Sequence, residues 1–97
     1  MIANSVVLSA CIAEVEALRY TPAGLPALNM RLEHESQTSE AGQARQVKLA
    51  MKAVAFGATA ERLAKQAIGS VWRFSGFLAN SAYGKSVIFH IQEFSQD

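Results

Sequence analysis

Two histidines and one cysteine are the side chains in this sequence best suited to hold a metal or act as a nucleophile. His34 and His90 lie far apart, and neither has a Cys, an Asp or a second His at metal-site spacing. Cys11 falls within an apolar stretch, where a lone thiol is usually inert packing and fits a reducing compartment. These residues therefore predict neither a metal centre nor a reactive thiol.

Carboxylates and serines are the remaining groups that could perform catalysis. Glu33, Glu35 and Glu40 are close in sequence, but they alternate into a polar segment, which is typical of a solvated face. The serines lack a nucleophile-elbow sequence, and the glycines form no phosphate-binding pattern before a helix. We therefore expect no enzyme activity, no cofactor and no small-molecule substrate.

Basic side chains on strand-like stretches favour binding instead. Lys48 and Lys52 are the most informative, because period-2 alternation places both on the solvent face of one predicted strand. Lys85 follows the last predicted turn. Ordinary solubility explains such lysines equally well. The full set of candidate cations is Arg19, Arg31, Arg45, Lys48, Lys52, Arg73 and Lys85.

Aromatic residues could add stacking to this charge. A base stacked on an aromatic ring contributes roughly 1–3 kcal/mol in single-strand binding. The candidates are Tyr20, Phe77 and Tyr83, with Phe77 also suited to barrel packing or a subunit contact. The supply is thin, so we expect a site that is more electrostatic than stacked.

Composition limits the class of protein. The chain has 97 residues, 51% of them hydrophobic, which predicts one globular domain over residues 1–97. A net charge of +1 is too balanced to indicate a nucleic-acid binder by bulk charge alone. No apolar run reaches the roughly 20 residues of a membrane span, and no basic-then-apolar leader is present. We expect a cytoplasmic protein without a membrane partner.

Hydrophobic alternation predicts five strands. They span Val6–Glu14, Ala27–Glu35, Arg45–Phe56, Ser70–Ala79 and Lys85–Phe94. The first two are joined through a corner in which Pro22 presets φ, Gly24 accepts a positive φ and Pro26 withholds an amide. In the third strand, Val47, Leu49 and Met51 are predicted to face inward, and Phe56 to be buried.

Two connecting segments have distinct patterns. The polar stretch Gln37–Ala44 is typical of a flexible hairpin loop. The stretch Ala58–Ile68 predicts the one helix, with Ala60, Leu63, Ala64 and Ala67 on one face and Gly69 ending it. Five strands with a helix between the third and fourth predict an all-β domain with one short helix, the five-stranded Greek-key OB-fold barrel.

The first strand has two uncharged faces. Val6, Leu8, Ala10 and Ile12 share one face, and the opposite face is also small and nearly apolar. Such a strand is either interior or covered by another chain. Both alternatives stay open, and the second predicts a homodimer seam.

Several of these motifs resemble those of the PriB (primosomal replication protein N) family. They are the Pro22-x-Gly24-x-Pro26 corner, Leu32-Glu33-His34, the Glu40-Ala41-Gly42 turn followed by Arg45-Gln46, and Gly76-Phe77. The wider family of bacterial single-stranded DNA-binding proteins is similar in its Arg19–Gly24 corner and its Phe56-Gly57 and Gly69-Ser70 frame. Those proteins usually continue into a Gly-rich, acidic-tipped tail, and the sequence stopping at Asp97 favours the PriB resemblance.

The resemblance implies an OB-fold homodimer of the replication-restart primosome. It implies binding of single-stranded DNA, contact with the PriA helicase and stimulation of its unwinding, and recruitment of DnaT where a species has it. Arg19 and Arg45 keep the family's basic positions. Gln43 and Lys48 stand where the family has aromatic residues, and Glu35 stands where it has a basic one.

These departures leave three functions to distinguish. The first is an accessory DNA-binding subunit whose site residues are Arg19, Arg45, Lys48, Lys52, Tyr83 and Lys85. The second is a protein–protein adaptor of the primosome with little DNA binding of its own. The third is a tail-less single-stranded DNA-binding protein.

Overall fold

Residues 2–97 are described by a computed structural model of the chain. The elements along the chain are β1 (Val6–Val15), β2 (Arg19–Tyr20), β3 (Pro26–Glu40), β4 (Gln43–Phe56), α1 (Ala58–Ala64), β5 (Val71–Asn80) and β6 (Val87–Ser95). The five long strands correspond to the five predicted from alternation. The extra strand β2 is a two-residue pairing of Arg19 and Tyr20 with the start of β3.

The five long strands close into a barrel. The sheet order is β1-β5-β6-β4-β3-β2, and a further pairing of β1 with β3 joins the ends. All pairings are antiparallel except β4 with β6, which run parallel at Ala53↔Phe89 and Val54↔His90. This confirms the predicted OB-fold barrel with one helix between its third and fourth long strands.

Inward-facing side chains of all five long strands fill the barrel. Ile12, Leu28, Leu32, Phe74 and Phe89 are completely buried, and Leu63 of α1 joins them from one end. Each such side chain contributes about 1.5–3 kcal/mol of burial free energy. The core therefore holds the strands whose outward faces carry the candidate site.

The segment predicted as a flexible loop, Gln37–Ala44, is instead a continuation of the hairpin. β3 runs to Glu40 and β4 begins at Gln43, so only Ala41 and Gly42 turn the chain, with φ of 53° and 79°. Positive φ at both positions is what a two-residue hairpin turn requires. The prediction was wrong because these strands are polar on both faces and show no alternation.

The distal part of this hairpin, residues 34–49, extends beyond the barrel, and we call it the arm. β1 pairs with β3 only from Met30 to Glu33, so β4 is the one strand of residues 2–97 that pairs with the β3 part of the arm. Leu49 has the predicted orientation but is 41% exposed, and Val47 is only half-buried. Both side chains therefore lie on the predicted face of β4, but neither belongs to the buried core.

The helix is shorter than predicted. It ends at Ala64 rather than Ile68, with Ala60 and Leu63 buried and Ala64 exposed. Beyond it, the Gly69 N–H donates to Ile12 O (2.8 Å) and the Ile12 N–H to Ser70 O (3.0 Å). These bonds attach the segment to β1 in place of a further helical turn.

β1 is an interior strand with one partly open edge. It pairs with β5 through Val6–Cys11 and with β3 through Cys11–Val15. Among the described residues, no strand pairs with the second edge of residues 6–10. Cys11 is half-buried rather than buried.

Gly76 marks the closest approach of two strands. A Cβ at this position would lie 1.8 Å from the His90 carbonyl oxygen and 3.1 Å from a ring carbon of Phe89. Any side chain at position 76 would clash with the backbone of β6, so this mid-strand position requires glycine. A mid-strand glycine is typical of a close approach between backbones.

We expect Gly76→Ala to destabilise the fold by about 3 kcal/mol or more, since backbone must move to admit the methyl group. Gly84→Ala is the matched control, because Gly84 has φ 68° and nothing within 4 Å of its Cβ position. The control should lose only about 1–2 kcal/mol from backbone strain. Urea unfolding of both variants measures the difference, and equal losses would contradict the role given to Gly76.

Candidate nucleic-acid interface

Alternation along β3 and β4 separates the core from an outer face. Met51 and Ala53 point towards the core, so Lys48, Lys52 and Phe56 point away from it. Opposite them on β3, Arg31 pairs in register with Lys52, and Glu35 with Lys48. The outward orientation predicted for both lysines agrees with this register.

A groove of about 350 Å³ crosses the outer face. Arg31 and Lys52 line it on β3 and β4, and Ile88 lines it on β6. Glu14 and Glu16, at and after the end of β1, form one side, and Ser81 and Ser86 of the β5–β6 turn form the other. We call this the cross-strand groove.

The charges lining the groove are balanced, with two carboxylates and two cations. Arg31 Nε lies 3.3 Å from Glu14 Oε2, and Arg31 Nη2 lies 3.5 Å from Glu33 Oε2. Lys52 makes no ion pair with any of residues 2–97. Lys52 is therefore the lining cation whose charge is available to a ligand.

The β5–β6 turn, whose Ser81 and Ser86 line the groove, also carries two predicted residues. The Ser81 N–H donates to Ser86 O (2.8 Å), which closes the turn beside the groove. Tyr83 within it is 89% exposed, and Lys85 is also exposed and unpaired among the described residues. Both side chains are free to contact a ligand lying in the groove.

Arg19 of β2 bonds to a side chain that lines the groove. Its Nε and Nη2 both donate to Asn29 Oδ1, at 3.1 and 2.9 Å, and Asn29 is a lining residue. Among residues 2–97, no carboxylate lies within ion-pair distance of the Arg19 guanidinium. Of the six predicted site residues, Lys52 lines the groove, Arg19 bonds to a lining residue, and Tyr83 and Lys85 lie on the turn whose serines line it.

The remaining two predicted residues lie on the arm. Lys48 is on the outer face, in a shallow hollow shared with Glu33 and Glu35. Arg45 shares its strand face with Val47 and Leu49 and pairs with Glu40 at 3.2 Å. Arg45 therefore lies on the opposite face of the hairpin from the groove.

Three rings continue the outer face beyond the groove, and we call them the aromatic row. Phe77 and His90 stack at 4.7 Å between centroids with 14° between planes, and Phe56 lies 6.1 Å from His90. Val54 of β4 pairs with His90 of β6. These residues lie two positions after the groove residues Lys52 and Ile88, so the aromatic row begins about 7 Å further along the two strands. A hollow of about 270 Å³ lies over the rings.

No three His, Cys, Asp or Glu side chains of residues 2–97 cluster as metal ligands. No helix in the same range is long and apolar enough to cross a bilayer.

Comparison with known proteins identifies the family. Residues 4–93 match a family profile whose description is "Another single-strand binding protein family". The replication restart protein PriB of Bordetella pertussis is 44% identical over 91 residues, which cover 93% of this chain and 85% of that protein. This chain belongs to the PriB family.

Solved structures agree with this membership. PriB of Ralstonia solanacearum has a TM-score of 0.89 at 38% identity and covers 98% of both chains. The single-strand-binding domain of a Synechococcus protein has a TM-score of 0.74 at 21% identity, covering 99% of this chain and 98% of its own, which shows a shared fold.

The sequence analysis of this PriB-family chain missed two members of the aromatic row. Phe56 was predicted to be buried and is 39% exposed, and His90 was interpreted as an ordinary sheet histidine. Phe56 shares the even-numbered register of Lys48 and Lys52, and that spacing was the available signal. Its place beside Phe77 required the parallel pairing of β4 with β6.

Proposed function

We propose that this PriB-family chain is an accessory single-stranded DNA-binding subunit of the replication-restart primosome that stimulates the PriA helicase. The observation that carries the proposal is the continuity of the cross-strand groove with the aromatic row. A single strand needs cations for its phosphates and exposed ring faces for its bases. Here Lys52 and Phe56 lie four residues apart on the same face of β4.

The charge balance of the groove limits the affinity. Arg31 lies within ion-pair distance of two carboxylates, which leaves Lys52 as the groove cation without a carboxylate partner among residues 2–97. Lys85 and Arg19, on the neighbouring turn and strand, also have no carboxylate partner in that range. Each phosphate contact contributes about −0.7 to the slope of log K against log salt for single strands. We therefore propose modest, salt-sensitive binding, in which partner contacts with PriA, and with DnaT where it exists, share the work.

We further propose that the protein acts as a homodimer joined through β1. Backbone groups of Ile12 bond towards β5, so by alternation those of Val7 and Ser9 face the open edge. The Ser9 carbonyl accepts from His34 Nδ1–H (2.6 Å), which leaves the Val7 N–H and C=O available. A second β1 strand satisfies such groups by antiparallel pairing.

Replacing Lys52 and Lys85 together by Ala should weaken binding of a labelled oligo-dT and flatten its salt slope by about 1.4, the value expected for two phosphate contacts. Lys65→Ala, at an exposed lysine ending α1, should change neither quantity. Fluorescence anisotropy at several salt concentrations measures both. Stimulation of PriA unwinding without any oligo-dT binding at low salt would favour the adaptor instead.

Phe56→Leu combined with Phe77→Leu should lose roughly 1–3 kcal/mol of oligo-dT binding while keeping the wild-type salt slope, because stacking involves no counterions. Ile68→Ala is the control, since Ile68 is 60% exposed and lies in neither the groove nor the aromatic row. Titrations at fixed salt give the loss. An unchanged affinity in the double variant would remove the aromatic row from the binding face.

Sedimentation equilibrium should find the wild-type protein at twice its 10.5-kDa chain mass. Val7→Pro should shift it to the monomer, because proline removes the N–H that faces the open edge and leaves the β5 ladder intact. Val7→Ala retains this N–H and should remain dimeric. A monomeric wild type, or a dimeric Val7→Pro, would contradict pairing through β1.

A further inference from the structure

We infer that Glu14 and Glu33 restrain Arg31 and thereby set the DNA affinity of the cross-strand groove. The inference rests on the proposed function, since it concerns the same site. It assigns to two carboxylates a role in limiting binding that their sequence positions alone do not indicate. The ligand involved is the phosphate backbone of a single strand.

Arg31 occupies the centre of a charge cluster spread over three adjacent strands. Glu14 of β1 pairs with it in register on one side, and Lys52 of β4 on the other. Glu33 is two residues along β3 on the same face. Arg31 Nε is 3.3 Å from Glu14 Oε2 and Arg31 Nη2 is 3.5 Å from Glu33 Oε2, so two carboxylates lie within ion-pair distance of the guanidinium. Arg31 Nε has no hydrogen-bond partner among residues 2–97, so the attraction to Glu14 is electrostatic.

The same arrangement explains how two cations can face each other across β3 and β4. Side chains directly opposite on one face lie about 5 Å apart, and like charges there are destabilising. The two carboxylates offset this repulsion between Arg31 and Lys52. They also reduce the attraction of the pair for a phosphate, which would otherwise meet two adjacent cations.

The restraint is adjustable rather than complete. The side chains of Arg31, Glu14 and Glu33 are 41%, 69% and 53% exposed. Ion pairs exposed to this degree are weak and screened by salt. A phosphate in the groove therefore competes with the carboxylates for Arg31, and affinity is lowered without binding being abolished.

The test replaces both carboxylates by their uncharged isosteres, Glu14→Gln with Glu33→Gln. Anisotropy with labelled oligo-dT should show affinity raised roughly three- to tenfold at low salt and a slope steeper by about 0.7, as for one added phosphate contact. Adding Arg31→Met to this double variant should remove the gain. Arg31→Met alone should change wild-type affinity less than about twofold, since Arg31 is restrained there.

The control must separate this effect from net charge. Glu61→Gln with Glu93→Gln also raises the net charge from +1 to +3, but on α1 and on a part of β6 outside the groove. It should leave the salt slope unchanged. Thermal unfolding confirms that each variant is folded at the assay temperature.

The outcomes distinguish the two proposals. A gain that persists with Arg31→Met, a gain matched by the control, or no gain would overturn the restraint by Glu14 and Glu33. Absence of wild-type binding at low salt would contradict the proposed function. If the wild type does not bind but the Glu14→Gln, Glu33→Gln variant does, and that binding requires Arg31, the restraint would still be supported.

Discussion

The close approach of β5 to β6 at Gly76 is the contact on which both faces of the barrel depend. Gly76 lies on the inward face of β5, and the buried side chains of Phe74 and Phe89 fill the core around this position. On the other side of the same strands, Phe77 and His90 are directly paired and stack at 4.7 Å. A side chain at position 76 would separate the strands, so barrel closure and the aromatic row share one steric requirement.

Sequence reasoning predicted the architecture because the strands of the barrel have one buried face each. Leu28, Met30 and Leu32 alternate with polar residues, and the corner at Gly24 has the expected positive φ of 84°. The arm was missed because period-2 patterns report burial, and most side chains of the arm are exposed. The same limit explains Leu49, whose apolar side chain has the inward orientation but no layer to contact.

The site was predicted less completely, for an electrostatic reason. Alternation shows which face a cation occupies, but strand register decides which carboxylate lies beside it. Arg45 is neutralised by Glu40 across the hairpin turn, whereas Lys52 faces Arg31 and has no carboxylate partner among residues 2–97. The surroundings of Arg31 and Lys52 depend on registers between β1, β3 and β4 that no short stretch of sequence encodes.

The combination of a charge-balanced groove with partly exposed rings favours a binding mode that changes with ionic strength. The phosphate contribution falls as salt rises, because fewer counterions are released. The stacking contribution does not depend on counterions, so its share of the proposed binding increases with ionic strength. A second subunit joined through β1 would double the number of cations and rings offered to one strand, and linked weak sites bind more tightly than either alone. Under the proposed function, this would allow a chain with a net charge of only +1 to hold a single strand and still release it to a partner.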